Sequence, residues 1–220
     1  MFAEYCPCPV GQATQQHDSG MGWMQQDARD WAWLISGVDP ILRDCRLGTS
    51  PHAEVAQLMA KLDGRSWFLF GTYGVGKSGL AAGYLWDWIQ RDKGSALFIT
   101  APEIFRAIRS TYGPNAGRDE FEVISAFVEY PLLVLDDLGA ERITEDTPGR
   151  PGNRQWVEDN LMAVIGRRHA TRATTIMTSN LDIGQIKARI GERLAWRIIE
   201  MCGKDHMREI VGANLRATDG

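Results

Sequence analysis

The segment GTYGVGKS, residues 71–78, constrains this chain more than any other stretch. It follows an apolar run, SWFLF, and precedes a segment in which Leu80, Ala81, Tyr84, Leu85, Trp88 and Ile89 recur at helical spacing. Strand, glycine-rich turn and helix in that order match the phosphate loop G-x-x-x-x-G-K-[ST]. Gly74 and Gly76 let the backbone wrap closely, so that successive N–H groups face phosphate oxygens. The helix N-terminus adds partial positive charge. The expected nucleotide contacts are therefore Gly71, Thr72, Tyr73, Gly74, Val75, Gly76, Lys77, Ser78 and Gly79. In such a loop the lysine reaches the β- and γ-phosphates and the serine hydroxyl binds Mg²⁺.

A second stretch, LLVLDDLGAER (132–142), ends an apolar run in two adjacent carboxylates, Asp136 and Asp137. A buried strand that stops on paired acids needs a cation, and Mg²⁺ on a triphosphate supplies one. Asp136 is the natural metal partner. Strand side chains alternate in direction, so Asp137 is expected to point elsewhere. It could act as general base on an attacking water or cap the following turn.

Around these motifs the chain alternates strand and helix. Expected strands are 66–71, 96–101, 132–136 and 174–180; helices fill most intervals, with two short helical patterns over 182–201 and REIVGAN (208–214) completing the chain. That alternation indicates a mostly parallel sheet covered on both faces. Near the start, WMQQDARDWAWLISG reads as a helix with Trp23, Trp31, Leu34 and Ile35 as its apolar face, closed by Gly37. TSPHAEVAQLMAKLDG reads as another, capped by Ser50 with Pro51 at its first position and a stripe of Val55, Leu58, Met59 and Leu62. Residues 1–49 are expected to form a short, partly disordered extension with one helix, and 50–220 the main domain.

Lys and Arg number 24 against 28 Asp and Glu, a net charge of −4 that does not advertise a nucleic-acid binder. No apolar run approaches the ~18 residues of a membrane span, and the N-terminus lacks a signal-peptide layout. The expected setting is cytoplasmic, with no membrane partner. Cys6 and Cys8 form half of a possible zinc site with His17 nearby, or are free thiols in a loose segment; Cys45 and Cys202 stand apart.

Taken together, GTYGVGKSGLA, ALFITAPEIFRAIR, LLVLDDLGAER, TTIMTSNL and IGERLAWRIIEMCG resemble the DnaC/DnaI/IstB-like branch of the AAA+ ATPases, over about residues 50–217. The resemblance implies an α/β P-loop NTPase of AAA+ type with a five-stranded, mostly parallel sheet covered by helices on both faces; the chain departs from that pattern in ending four residues after Arg216, so the helical lid is expected to be absent or vestigial. It implies ATP and Mg²⁺ as cofactors, ATP hydrolysis, and a homo-oligomer with shared sites. Its expected partners are single-stranded DNA and a replicative helicase, or a transposase if the chain is a transposition helper. A nucleotide-dependent assembly scaffold with little hydrolysis is a third reading.

Residue roles follow from the same resemblance. The family's catalytic base matches Asp137 and its polar sensor matches Asn180. Its G-E-R-x-x-x-R stretch matches Gly191, Glu192, Arg193 and Arg197, with Arg197 as the finger reaching a neighbouring subunit's nucleotide. The alternative is a solvated helix face pairing with Glu192 and Glu200. Arg216 matches a second sensor acting in cis. Arg106 and Arg109, three apart on one helix face with Arg118 beyond, are candidate DNA contacts. Arg167, Arg168, His169 and Arg172 close a helix, where positive charge is favourable anyway.

Overall fold

The computed structural model describes residues 21–62, 64–113, 117–144 and 152–215, and side chains from residue 28 onward within them. Five strands form one sheet in the order β2-β3-β4-β1-β5: β1 (Trp67–Phe70), β2 (Ala96–Thr100), β3 (Leu132–Leu138), β4 (Thr174–Ser179) and β5 (Met207–Glu209). All pairings are parallel. The last strand begins at Met207 and takes in only the first two residues of REIVGAN, and its pairing with β1 makes β1 an interior strand.

Parallel neighbours need crossover connections, and the helices that make them cover both faces. On one face Trp67, Leu69, Leu132, Val134 and Ile176 meet α2 (Ala53–Lys61) and α3 (Lys77–Gln90). On the other, Phe68, Leu133, Leu135 and Met177 meet α4 (Ala101–Arg109), α5 (Glu120–Glu129), α6 (Arg154–Ala170), α7 (Ile183–Arg189) and α8 (Glu192–Cys202). Adjacent strand residues thus serve opposite cores, as the pleat requires. The six apolar residues expected on the helix after the phosphate loop are all buried. No helix among the described residues is long and apolar enough to cross a membrane.

Two expectations near the N-terminus are corrected. The first helix, α1 (Met21–Ile35), does form, but Trp31, Leu34 and Ile35 are exposed and Trp33 is the buried anchor. Trp33 meets Trp86 edge-on, and the Arg46 guanidinium lies 3.8 Å from the Trp86 ring centroid. A cationic side chain on an aromatic face selects which side of the helix docks, and periodicity alone does not register that partner. The side chain of Trp23 lies outside the described residues. The second helix begins at Ala53, not Pro51; the Ser50 hydroxyl instead accepts from His52 N at 3.2 Å, holding the turn before it. Trp33, Val38 and Leu47 share a core with α3, and Phe98 N donates to Ser36 O, so the segment after α1 covers the β2 edge.

Candidate nucleotide-binding and hydrolytic site

The C-terminal ends of β1, β3 and β4 meet on one rim of the sheet, where parallel α/β folds bind ligands. From β1 the chain turns sharply: Gly71, Gly74 and Gly76 all have positive φ (144°, 78° and 97°). At Gly71 a β-carbon would lie 2.3 Å from the Ile210 carbonyl oxygen, so conformation and space both exclude a side chain there. Lys77 is buried and its ammonium donates to Gly71 O (3.0 Å), Thr72 O (2.7 Å) and Asn180 Oδ1 (2.8 Å). The lysine and the Asn180 amide, 103 residues apart in sequence, are thus brought into contact. Thr72 and Tyr73 are exposed at the loop tip, Val75 is buried, and Ser78 and Gly79 open α3.

Asp136 is 6% exposed at the end of β3. Thr178 Oγ1 donates to its Oδ1 at 2.5 Å, and the Ser78 hydroxyl also hydrogen-bonds it. Burial pushes the Asp136 carboxyl up, the Asp137 charge adds to this, and Thr178, Ser78 and Lys77 oppose it. A buried carboxylate beside a serine hydroxyl is an all-oxygen donor set of the kind Mg²⁺ takes. The residues present fit a nucleotide-bound Mg²⁺, which Ser78 and Asp136 would hold.

The register between β3 and β4 passes from Leu135↔Met177 to Leu138↔Ser179, so Asp136 and Asp137 together oppose Thr178. This is a β-bulge, and Asp137 sits in it at φ 55°, a left-handed conformation uncommon for a residue with a side chain. Simple alternation therefore does not decide where Asp137 points; the bulge does. Its N–H donates to Thr178 Oγ1 at 3.0 Å, and its carbonyl accepts from Ala140 N. Backbone held in such a region costs of order 1–3 kcal/mol and gathers at functional sites.

The remaining candidates lie elsewhere. Arg193 pairs with Asp159 at 3.0 Å, and Arg197 donates to Glu200 at 2.7 Å and meets His169 Nδ1 at 2.9 Å, all within α6 and α8. Among the described residues neither hydrogen-bonds to the phosphate loop, to Asp136 or to Asp137. Glu192 pairs with Lys187 rather than with either arginine. Arg106 and Arg109 are exposed on α4, and the Arg109 guanidinium lies 4.6 Å from the Trp156 ring centroid. Arg168 is fully buried and bonded to backbone carbonyls, in keeping with a structural role. Arg216, Cys6, Cys8 and His17 lie outside the described residues. Among the described residues no group of three His, Cys, Asp or Glu could hold a metal ion by themselves.

Sequence reasoning did not find Thr178, Glu158, Glu141 or His52. Glu158 Oε1 accepts from Arg193 N (3.1 Å) and Leu194 N (3.4 Å), capping α8 from a different helix. A β-carbon on Gly191 would fall 2.0 Å from that oxygen, which gives the glycine of the GER stretch its reason. Glu141 is 4% exposed after β3, and Arg189 donates to its carbonyl at 2.8 Å. His52 Nε2 contacts Val75 O of the phosphate loop. None of these pairings has a fixed sequence spacing that would signal it.

No family model matches the chain. Among characterised and uncharacterised proteins it is 26% identical over 174 residues to the uncharacterized YdaV of Escherichia coli K12, covering 74% of this chain. It is 24% identical over 125 residues to the replicative helicase loader DnaI of Bacillus subtilis, covering 56% of this chain. It is 24% identical over 133 residues to the replicative helicase loader DnaC of Buchnera aphidicola, covering 60%. The matched regions span 65%, 36% and 50% of those proteins' own lengths. Among solved structures, DnaI matches with TM-score 0.62 at 23% identity, over 81% of this chain and 94% of that one. The DnaC helicase loader matches with TM-score 0.62 at 21% identity, over 79% and 100%. A replication initiator DnaA bound to AMPPCP and single-stranded DNA matches with TM-score 0.58 at 15% identity, over 80% and 51%. With its parallel sheet, the phosphate loop after β1 and the acid pair closing β3, the chain has the AAA+ P-loop NTPase fold of the DnaC/DnaI-like helicase loaders.

Proposed function

We propose that this chain is a Mg²⁺-dependent ATPase that assembles with copies of itself and binds single-stranded DNA while loading a replicative helicase. The observation that carries the reading is the convergence of Lys77, Asn180, Ser78, Asp136 and Asp137 on one rim of the sheet. Binding a triphosphate would exchange the carbonyl partners of Lys77 for phosphate oxygens. Bound Mg²⁺ would supply charge neutralisation on those oxygens. Asp136 and Ser78 would hold the ion, and Asn180, already touching Lys77, would present a neutral amide to the same phosphate group. Asp137 would accept a proton from the attacking water.

Arg197 fits a role in a neighbouring subunit's site better than in its own, because within the chain it is bonded on α8, to Glu200 and to His169 of α6. An arginine supplied in trans stabilises developing charge on the transferring phosphoryl group. The named relatives favour the helicase-loader role over a transposition helper. The DNA-bound neighbour supports single-stranded DNA as a ligand, with Arg106 and Arg109 as candidate contacts.

The test is ATP turnover with and without single-stranded and duplex DNA, alongside native mass. Wild type should turn over ATP as an oligomer, and Asp137→Asn should bind ATP but lose turnover. Mixing Lys77→Ala with Arg197→Ala subunits should restore part of the activity if sites are shared. Turnover unchanged in Asp137→Asn would favour the assembly-scaffold reading and overturn this one.

A further inference from the structure

Thr178 is the fully buried residue that faces both acids of the proposed hydrolytic site. It stands opposite the bulge, where the β3–β4 ladder skips from Leu135 to Leu138. A bulge leaves the extra residue without its ladder partner, and a buried N–H left unpaired is destabilising. The threonine hydroxyl fills that gap. Its oxygen accepts from Asp137 N at 3.0 Å, and its single proton goes to Asp136 Oδ1 at 2.5 Å. One hydroxyl therefore ties together the side chain of the first acid and the backbone of the second. Its own backbone is fixed in β4, two residues before Asn180.

We infer that Thr178 is a positioning residue: it orients the Asp136 carboxylate toward Ser78 and the metal, and holds Asp137 in its left-handed conformation. The inference rests on the ATPase reading above. It is specific to the hydroxyl. Serine keeps the donor and acceptor, whereas valine keeps the shape of threonine and loses both. Without the hydroxyl, Asp136 loses one of its two hydroxyl partners and Asp137 N–H has none in the strand. Among the described residues the Thr178 hydroxyl bonds to the two acids and not to the phosphate loop, so metal-free nucleotide binding should not depend on it.

The experiment follows a fluorescent, non-hydrolysable ATP analogue as Mg²⁺ is titrated, and ATP turnover in parallel, for wild type, Thr178→Val and Thr178→Ser. Loss of a residue that orients a metal ligand typically weakens metal affinity or activity by about 10–100-fold. Thr178→Val should raise the Mg²⁺ midpoint by about that factor and lower turnover, with analogue affinity in EDTA unchanged. Thr178→Ser should recover most of both. A wild-type Mg²⁺ midpoint and turnover in Thr178→Val would overturn the inference, as would a serine variant no better than the valine. If the valine variant does not fold, Thr178→Ala takes its place against Thr178→Ser on the same readouts. A wild type whose analogue binding ignores Mg²⁺ would instead overturn the ATPase reading, and this inference with it.

Discussion

Replacing Arg168 tests whether the densest basic cluster in the chain holds the fold or serves a ligand. Its guanidinium donates to Phe127 O and Val128 O at 3.1 Å each, to Tyr130 O at 2.7 Å, to Thr174 O at 2.6 Å and to Thr175 Oγ1 at 2.8 Å. Three of these carbonyls close α5, whose last turn has no intrahelical donors for them. Burial pushes the Arg168 pKa down to about 10, so it remains a cation at neutral pH. Arg168→Ala leaves four carbonyls without this donor, each costing about 1–3 kcal/mol when buried. Entering water recovers part of that, so the lower limit is apt: about 4 kcal/mol in all, near the top of the range for single substitutions. For a chain of this size that lowers Tm by about 8–16 °C. Arg168→Lys keeps the charge but offers three donors without the planar fork, and should fall between. Urea and thermal unfolding of the three proteins measure this directly. A loss under about 1 kcal/mol for Arg168→Ala would refute the capping account. So would a folded variant whose only defect is in DNA binding, because a fully buried guanidinium cannot reach a phosphate backbone.

Two further predictions concern carboxylates that only the structure revealed, Glu158 and Glu141. Gly191→Ala should displace the Glu158 carboxylate and cost the α8 cap, about 1 kcal/mol; Glu158→Ala should cost a similar amount, and the double variant little more than either, since both remove the same bonds. Additive losses in denaturant melts would show that Glu158 is not the cap. Glu141 is buried with neither carboxylate oxygen meeting hydrogen-bond geometry, and burial pushes its carboxyl up; the nearby N–H dipoles of Glu141 and Gly139 and the Arg189 charge oppose the shift, and the Asp137 charge adds to it. The folded state then holds the proton more tightly than the unfolded state, so this group's contribution to stability falls as pH rises above its ordinary value of 4.5. Glu141→Gln should therefore be more stable than wild type at neutral pH, with the gap closing in acid; a gap that does not change with pH would contradict the assignment.

The sequence by itself determined the phosphate-loop motif and four strands of the sheet. A phosphate loop needs its glycines, lysine and hydroxyl at fixed spacing between a strand and a helix, so GTYGVGKS announces both the motif and its setting. Residues 132–135 and 174–178 are continuous apolar or β-branched runs, legible because parallel strands are buried on both faces. The acid pair was legible for the complementary reason: two carboxylates ending such a run are out of place unless a cation meets them. The tertiary structure decided how those acids are held. The bulge, the left-handed Asp137 and the Thr178 hydroxyl between the two aspartates arise from pairing strands that lie 42 residues apart at that contact. It also decided which side of α1 is buried, through Arg46 on Trp86, and why Gly191 is a glycine, through Glu158 from α6. Local periodicity carries which residues are apolar and how they are spaced. It carries nothing of which distant polar group completes a hydrogen bond, and at this site such long-range bonds hold the acids in place.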